Sequence, residues 1–364
     1  PFDQLVAEKL DLARVAGVKE QKNLQKLESL YDGLRVNLNR RSKAVKYLNI
    51  DDPTDRSWYS HTAQDIVFVL VPDGIHIKYA RDWLKRAILV IVEKPYSRDL
   101  VEALNFEETL KEIVRVNGEN KPYTIVICID HFLAKISSYI SRRKEETLTR
   151  QIGVIEAIEF SICESGGVEP WRAASLEAGM IYDLFCHTLA QISPFVDLKS
   201  FLREDAEILI ARHKDCPIST ESYAHITHNC LQDFHGRLVR LNGCVGKGVG
   251  TIDSKILRIV GANGTLTGDF GPNSDGKLVL ERDGSRAPLF DIGKGHAEML
   301  DAIFEGRFIE EPVGGLTGNV AIDILGILTS IRTRIERIAG QLRQQEHELG
   351  ATPEEINKVA IKLH

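Results

Sequence analysis

The chain has 364 residues, of which 43% are hydrophobic and 27% are charged. At roughly 150 residues per domain, this length predicts two globular domains. The composition excludes a disordered chain, a collagen and a small disulfide scaffold. The 46 basic and 52 acidic side chains give a formal net charge of −6. Because nucleic-acid-binding proteins are usually basic, we expect no nucleic-acid partner.

The six cysteines form no C-x-x-C pair, and most of them lie in apolar segments. This usage is typical of reduced thiols in a cytoplasmic protein. The longest apolar runs, near residues 66–72 and 87–92, are too short to span a bilayer, and no signal peptide opens the sequence. We therefore expect a cytoplasmic protein without a membrane partner.

The first 50 residues are polar and charged, and Leu5, Leu12 and Val15 recur with helical periodicity. Three short β-branched runs follow, and their lack of polar alternation predicts strands that are covered on both faces. These runs span residues 66–71, 88–92 and 123–129. Helix-like segments at 75–86 and 99–117 separate them. This alternation predicts βαβ units in a parallel sheet.

After about residue 150 the pattern changes to apolar runs that are separated by Gly, Asn and Asp turns. These runs span residues 153–163, 237–245, 255–260 and 277–282. Helical periodicity returns at 296–304 and 321–349. The second half is therefore predicted to be α+β with a mostly antiparallel sheet. We place the two domains at 1–135 and 136–364.

The segment Val92-Glu93-Lys94-Pro95 stands at the carboxyl end of a predicted buried strand. Open parallel sheets bind their ligands just beyond these strand ends. Lys94 therefore has two interpretations: it holds a substrate hydroxyl beside a cofactor ring, or it is a solvated lysine in a turn.

A second polar group follows the next strand, where Asp130 precedes His131 and Lys135 lies one helical turn later. These side chains suit a binding or catalytic site. The alternative is that Asp130 caps the next helix, with His131 exposed and Lys135 solvated. Both interpretations can hold together.

Asp183 and His187 lie four residues apart in a predicted helix and would share one face. A carboxylate that orients an imidazole makes it a suitable general base near neutral pH. The alternative is a half-buried polar pair without a catalytic role.

Two further segments imitate binding motifs. Residues 243–250 are glycine-rich, but a strand follows them instead of a helix, so we expect a hairpin or edge turn. His225, His228 and His235 lie close together without any standard zinc spacing. We therefore expect surface histidines and no metal.

Together these motifs resemble the Gfo/Idh/MocA oxidoreductases. The resemblance covers the strand at 65–72, the E-K-P segment, Trp171-Arg172, the Gly179–Asp183–His187 spacing, and the stretches 255–270 and 295–312. Two segments are also similar to the glucose-6-phosphate dehydrogenase family. Residues 93–100 resemble its E-K-P-F-G-x-D-L motif, and residues 128–135 resemble its R-I-D-H-Y-L-G-K motif.

The resemblance implies a role for each matching residue. His187 would be the base that takes the hydroxyl proton, with Asp130 or Asp183 as its carboxylate partner. Lys94 would contact both substrate and cofactor. The other implied contacts are His131, Lys135 and Arg172 to the substrate, the first two at a sugar phosphate, and Glu93, Pro95 and Pro72 to the cofactor. Phe132 replaces the motif's tyrosine and removes one hydroxyl from the implied phosphate site.

The implied cofactor is NAD or NADP, which such enzymes hold on a Rossmann-like sheet. That sheet usually begins with a strand, a G-x-G-x-x-G loop and a helix. Residues 1–41 contain only the isolated Gly17 and Gly33. We therefore interpret the N-terminal domain as a Rossmann-like domain whose first βα unit is missing, and we favour a segment before Pro1 over a lost cofactor site.

The sequence thus predicts an NAD(P)-dependent oxidoreductase that oxidises a hydroxyl of a sugar or sugar phosphate by hydride transfer. The resemblance also implies a homo-oligomer. Two alternatives remain open. One is a non-catalytic sugar-binding or scaffold homologue that lacks a cofactor. The other is a redox-neutral enzyme in which tightly held NAD oxidises and re-reduces one sugar.

Overall fold

The structure is a computed structural model, and it describes part of the chain. The described residues are 14–17, 46–49, 64–71, 73–84, 87–117, 124–130, 132–136, 150–165, 179–203, 206–211, 223–247, 253–271, 274, 276–292, 295, 298–299, 302–303, 308, 313–349 and 361–363. Strands β1 (Arg14–Gly17) and β2 (Lys46–Asn49) pair in parallel. The helical prediction is therefore wrong for Val15, a β-branched residue that pairs with Tyr47 in this sheet.

A second sheet has the order β14-β5-β4-β3. Its strands are β3 (Gln64–Val69), β4 (Ala87–Glu93), β5 (Ile125–Ile129) and β14 (Gly315–Leu316). The pairs β3–β4 and β4–β5 are parallel, as the βαβ pattern predicts, whereas β14 pairs antiparallel with β5. Val90, Ile91 and Val92 are fully buried, because β4 lies in the middle of the sheet and is covered on both faces.

Two helices connect these parallel strands. Helix α1 (His76–Asp82) joins β3 to β4, and helix α2 (Leu100–Asn117) joins β4 to β5. Helix α2 buries Ala103 and Phe106 completely and exposes Val101 and Leu104. The carboxyl ends of β3, β4 and β5 therefore meet at one edge of the sheet.

The largest sheet has nine strands in the order β13-β12-β11-β10-β6-β9-β8-β7-β15. They are β6 (Ile155–Glu164), β7 (Glu207–Ala211), β8 (Tyr223–Gln232), β9 (Leu238–Lys247), β10 (Ser254–Gly261), β11 (Gly264–Asp269), β12 (Lys277–Arg282), β13 (Ser285–Asp291) and β15 (Ile361–Leu363). All neighbours in it are antiparallel except β6 and β9, which run parallel. The predicted combination of a parallel sheet with a mostly antiparallel second sheet is confirmed.

The glycine-rich segment predicted to form a turn belongs to β9 as far as Lys247. Gly243 lies directly opposite Phe160 in the parallel β6 strand, and a Cβ atom at this position would overlap the Phe160 carbonyl oxygen. The turn prediction is wrong here, because this glycine allows two strands to approach closely and does not reverse the chain.

Two more helical segments complete the core. A π-helical turn (Ile181–Phe185) continues into helix α3 (Cys186–Ile192), all of whose residues are buried. Helix α4 (Gly318–Leu349) packs against α2 and α3. In the described part of the chain, no helix combines the length and the apolarity that a membrane crossing requires.

Candidate active site

His187 and Asp130 form a buried pair between the two large sheets. Asp130 directly follows β5, and His187 is the second residue of α3. The His187 Nδ1 atom lies 2.6 Å from Asp130 Oδ2, and both side chains are almost completely buried. The Phe132 ring meets the His187 ring edge-on at a centroid distance of 4.7 Å. The imidazole is therefore fixed in orientation.

The Asp130 carboxylate also caps the short helix at residues 132–136. Its Oδ1 atom accepts hydrogen bonds from the backbone N–H groups of Phe132 and Leu133, at 2.8 and 2.9 Å. The N-cap interpretation and the catalytic-partner interpretation of Asp130 thus describe two oxygens of one carboxylate. Because the cap fixes one oxygen, it also holds the other one toward His187.

Asp183 contacts Lys94 and not His187. The Lys94 Nζ atom donates hydrogen bonds to the Asp183 carbonyl at 2.7 Å and to its Oδ1 atom at 3.1 Å. Of the two carboxylates that the sequence left open as partners of His187, Asp130 is the one that bonds its Nδ1 atom, whereas Asp183 lies in the π-helical turn before α3. The Lys94 side chain is only 11% exposed, so it is not a solvated turn lysine.

Burial and neighbouring charges act in opposite directions on these groups. Burial lowers the pKa of His187 and outweighs the Asp130 carboxylate, which raises it. Burial also disfavours the charged form of Lys94, but Cys186, Asp183 and Asp130 together raise its pKa above the usual value. Since burial raises the pKa of the Cys186 thiol to about 12, the two carboxylates are the lasting anions beside Lys94 at neutral pH. His187 is therefore neutral at neutral pH, and Lys94 is charged.

Glu93 adds a carboxyl group that titrates near neutrality. Burial raises its pKa to about 7, against the opposing effect of the neighbouring Lys94 ammonium. Asp130 raises the Glu93 pKa further because it is a like charge. The site thus contains a carboxyl group whose pKa is raised to about 7 and an imidazole whose pKa is lowered.

A chain of alternating charges extends from Lys94 along the inner face of the nine-stranded sheet. Lys247 Nζ lies 4.0 Å from Asp183 Oδ2 and 2.8 Å from Glu164 Oε2. Lys255 Nζ lies 3.3 Å from Glu164 Oε1. Sequence reasoning missed Lys247 and Lys255. The positions of these lysines at strand ends could have indicated them. Lys247 is the last residue of β9 and Lys255 is the second residue of β10, and both lie beside Glu164 at the end of β6.

Lys135 lies at the same end of the sheet. Its Nζ atom donates a hydrogen bond of 3.0 Å to the Phe270 carbonyl and lies 5.3 Å from the centre of the Phe132 ring. Half-burial and the nearby Lys255 ammonium lower the Lys135 pKa. Phe270 links the two lysines, because its carbonyl accepts the Lys135 bond and its backbone N–H donates to the Lys255 carbonyl.

Of the other predicted site residues, Pro72, His131 and Arg172 lie outside the described residues. Pro95 follows Lys94 through a cis peptide bond and is buried. His228 is buried and stacks on Phe201, so the prediction of a surface position is wrong for it. Within the described segments, no three His, Cys, Asp or Glu side chains come together as a metal site would require.

No protein-family model and no curated protein matches the chain. Solved structures of the same fold do match it. UDP-N-acetylglucosamine 3-dehydrogenase GnnA from Acidithiobacillus ferrooxidans has a TM-score of 0.60 and 16% identity, covering 91% of this chain and 92% of its own. Biliverdin reductase from Synechocystis, in complex with biliverdin and NADP+, has a TM-score of 0.56 and 13% identity, covering 89% and 98%.

A third similar structure is KijD10, a 3-ketoreductase from Actinomadura kijaniata, in complex with TDP-benzene and NADP. Its TM-score is 0.55 at 13% identity, with 87% of each chain covered. The fold of this chain is therefore that of Rossmann-like oxidoreductases. At such low identity the likeness establishes the fold, and the function has to be argued from the site.

Proposed function

We infer that the chain is an NAD(P)-dependent oxidoreductase that oxidises a hydroxyl group of a sugar or sugar phosphate, with His187 as the general base. The observation that carries this inference is the buried His187–Asp130 pair beside the Lys94–Asp183 ion pair. Both pairs lie beyond the carboxyl ends of the parallel strands, where open sheets bind their ligands. A neutral base and a buried cation at that edge suit the removal of a proton and a hydride from an alcohol.

The strand edge fits a nicotinamide dinucleotide. Lys94 brings a buried ammonium to the edge, and Arg98 lies in the loop that follows it. The Arg98 Nε atom is buried and has no hydrogen-bond partner among the described residues. Cationic donors of this kind suit a dinucleotide, which carries two phosphates. Glu93, Lys94 and Pro95 would hold it, together with Pro72, which comes shortly after β3 in the sequence.

When bound, the dinucleotide supplies the hydride acceptor for the carbinol carbon. The substrate hydroxyl gives its proton to His187, and the carbon–oxygen bond becomes a carbonyl. Because Asp130 holds Nδ1 as the protonated nitrogen, Nε2 carries the lone pair that accepts this proton. Asp130 then stabilises the imidazolium that forms. Lys94 would donate a hydrogen bond to the oxygen as it loses its proton.

The sugar class is supported by the UDP-N-acetylglucosamine 3-dehydrogenase among the similar structures, while the biliverdin reductase among them acts on a different substrate. Lys135 and Lys255 lie together at the corner where the sequence resemblance places a sugar phosphate. Their like charges favour an anionic group between them. We assign this corner to the phosphate, with His131 as the third contact and Arg172 lining the site.

The exposed face of the nine-stranded sheet is our candidate for the interface of a homo-oligomer. Leu238, Arg240 and Asn242 of β9 are exposed on that face, whereas Val239 and Leu241 point into the core. This proposal follows from the family resemblance and from the unpaired face.

The test is a titration of the full-length protein with NAD+ and NADP+, followed by turnover of a panel of sugars and sugar phosphates with the same oxidised dinucleotides. We expect binding of one dinucleotide and its net reduction to NADH or NADPH. His187→Ala should lower kcat by roughly 10²–10⁴ while dinucleotide affinity stays nearly unchanged. His225→Ala is the matched control, because this half-buried histidine bonds Asn242 on the outer face of the sheet.

Other outcomes select the alternatives. Sugar binding without any dinucleotide binding would identify a non-catalytic sugar-binding or scaffold protein. Conversion of a sugar without net dinucleotide reduction would identify the redox-neutral enzyme. Full turnover by the His187→Ala variant would remove His187 from the chemistry.

The phosphate assignment has its own test. Lys135→Ala should raise KM for a phosphorylated sugar about tenfold or more, a cost near 1.4 kcal/mol, and should hardly change KM for the unphosphorylated sugar. Lys277→Ala, which changes a lysine at the start of β12, is the control. An equal increase in KM for both sugars would show that Lys135 does not contact a phosphate.

A further inference from the structure

His76 lies at the start of α1 and joins the loops that follow two neighbouring parallel strands. Its Nδ1 atom is 2.8 Å from the carbonyl oxygen of Pro95, which follows β4. Its Nε2 atom is 2.7 Å from the carbonyl oxygen of Val71, which follows β3. The side chain is buried. The imidazole therefore bridges the two loops from the inside.

Both partners of this ring are pure acceptors. A carbonyl oxygen cannot donate a hydrogen bond, so each contact needs a proton on the ring nitrogen. A neutral imidazole carries one such proton, and only the imidazolium carries two. The complete bridge therefore requires a charged ring, whereas a neutral ring places a lone pair against one of the two carbonyls.

The charged groups that face the ring are Asp73, from the turn before α1, and Arg98, from the loop after β4. They form an ion pair of 2.6 Å with each other, which is a second tie between the same loops. Burial lowers the His76 pKa, while the two carbonyls and Asp73 raise it and Arg98 lowers it. The net shift of the His76 pKa is downward, so the ring is neutral at neutral pH and gains its second proton only below the usual pKa of histidine.

We propose that His76 is a positioning residue. Its protonation draws the Val71 loop and the Lys94–Pro95 turn together and so positions the residues that would bind the dinucleotide. The evidence for the bridge is the two contacts alone, whereas its effect on dinucleotide affinity rests on the proposed function. Lys94 immediately precedes the bridged Pro95, so this spacing also places the buried ammonium. His76 acts through Pro95 and touches neither substrate nor cofactor.

The first test measures dinucleotide affinity of the full-length protein against pH. When the pH falls below the usual pKa of histidine, Kd should decrease about two- to tenfold, which is the value of one hydrogen bond. His76→Asn keeps a donor near the Nδ1 position for Pro95, and His76→Gln keeps one near the Nε2 position for Val71. Neither variant ionises, so this pH-dependent gain should disappear from both.

His225→Asn is the matched control and should keep the gain in affinity, because it replaces a histidine of the nine-stranded sheet and leaves His76 in place. If the two His76 variants show the same pH dependence as the wild type, the proposal is overturned.

The second test needs no ligand. Two N–H signals from the His76 ring should appear in nitrogen-edited NMR spectra as the pH is lowered. Protection of the backbone amides at residues 96–98 against hydrogen exchange should rise in parallel, in the wild type but not in the variants. A His76 ring that stays singly protonated until the protein unfolds would overturn the proposal. If both signals appear but no dinucleotide binds at any pH, the bridge stands and the proposed function fails.

Discussion

Asp130 is the residue on which most of the site depends, because its two carboxylate oxygens serve a helix N-terminus and an imidazole at once. Its position after a strand predicted the helix cap, whereas the pairing with His187 was implied by the family resemblance as one of two alternatives. That Asp130 rather than Asp183 partners His187 could not be predicted. The choice depends on contacts between residues far apart in the sequence, His187 with Asp130 and Asp183 with Lys94, which the periodicity of one helix does not reveal.

We expect Asp130→Asn to lower kcat by roughly 10²–10⁴, since the amide no longer favours the reactive tautomer of His187. The negative charge of Asp130 raises the pKa of His187, so its removal should shift the acid limb of the kcat/KM profile to lower pH. Steady-state kinetics across the pH range measure both effects. Asp183→Asn should shift this limb less, because that carboxylate bonds Lys94; equal shifts would contradict the assignment.

Glu93 gives a prediction on stability. Its pKa is about 7 in the folded chain against 4.5 as the ordinary value, so the folded state retains a proton that the unfolded state releases in this window. Stability therefore falls as the pH rises from 4.5 to about 7. Glu93→Gln removes this loss of stability, because the amide does not ionise. Between pH 4.5 and about 7, the free energy of unfolding of the variant should therefore rise relative to that of the wild type by up to about 3 kcal/mol.

Urea unfolding at several pH values measures this difference. Glu156→Gln is the control, because its side chain is exposed on the neighbouring sheet. A constant difference between Glu93→Gln and the wild type would show that Glu93 is not held in a protonated form.

Among the elements, the buried strands were the most predictable. Continuous β-branched runs located β4 and β5 to within a few residues, because a strand that is covered on both faces needs an uninterrupted apolar sequence. Helix α2 was equally clear. The parallel pairing of β6 with β9 was not predictable, because turn residues between runs suggest only local reversals.

The close approach of β9 to β6 predicts a large effect of a single methyl group. Gly243→Ala should lower the free energy of unfolding by at least about 1–3 kcal/mol, because its Cβ would overlap the Phe160 carbonyl oxygen. Gly326→Ala is the contrasting variant: it lies within helix α4, and its Cβ would meet Leu202 Cδ1 at an ordinary 3.7 Å. That change should stabilise by about 0.5–1 kcal/mol. Denaturant unfolding of both variants tests the difference, and a neutral Gly243→Ala would contradict the proximity.

At the scale of the whole molecule, the C-terminal part returns to the parallel sheet. Strand β14 pairs with β5, and helix α4 begins beside α2. The Glu107 carboxylate of α2 touches Gly318, the first residue of α4, where a negative charge stabilises a helix N-terminus. Tyr96, two residues after Lys94, donates a 2.6 Å hydrogen bond to the same carboxylate. The domain boundary near residue 135 stays a prediction.

This link predicts that Tyr96→Phe lowers the free energy of unfolding by about 1.5–3 kcal/mol, the range for a hydrogen bond to a charged group. Tyr182→Phe removes a bond between two hydroxyls, Tyr182 and Thr329 of α4, and should cost less, about 0.5–1.5 kcal/mol. Thermal and denaturant unfolding compare the two. A larger loss for Tyr182→Phe would mean that Glu107 does not hold α4.

The parallel pairing of β6 with β9 bears on how fast the protein acquires its activity. It joins Ala157 to Arg240, so the intervening chain, which contains α3, must cross from one strand to the other before the sheet closes. Pairings between distant residues form slowly, because loop closure costs entropy before any contact offsets it. His187 lies in this intervening segment, so it reaches Asp130 only after the segment has crossed from β6 to β9. During refolding, the helical signal should therefore return first and turnover last.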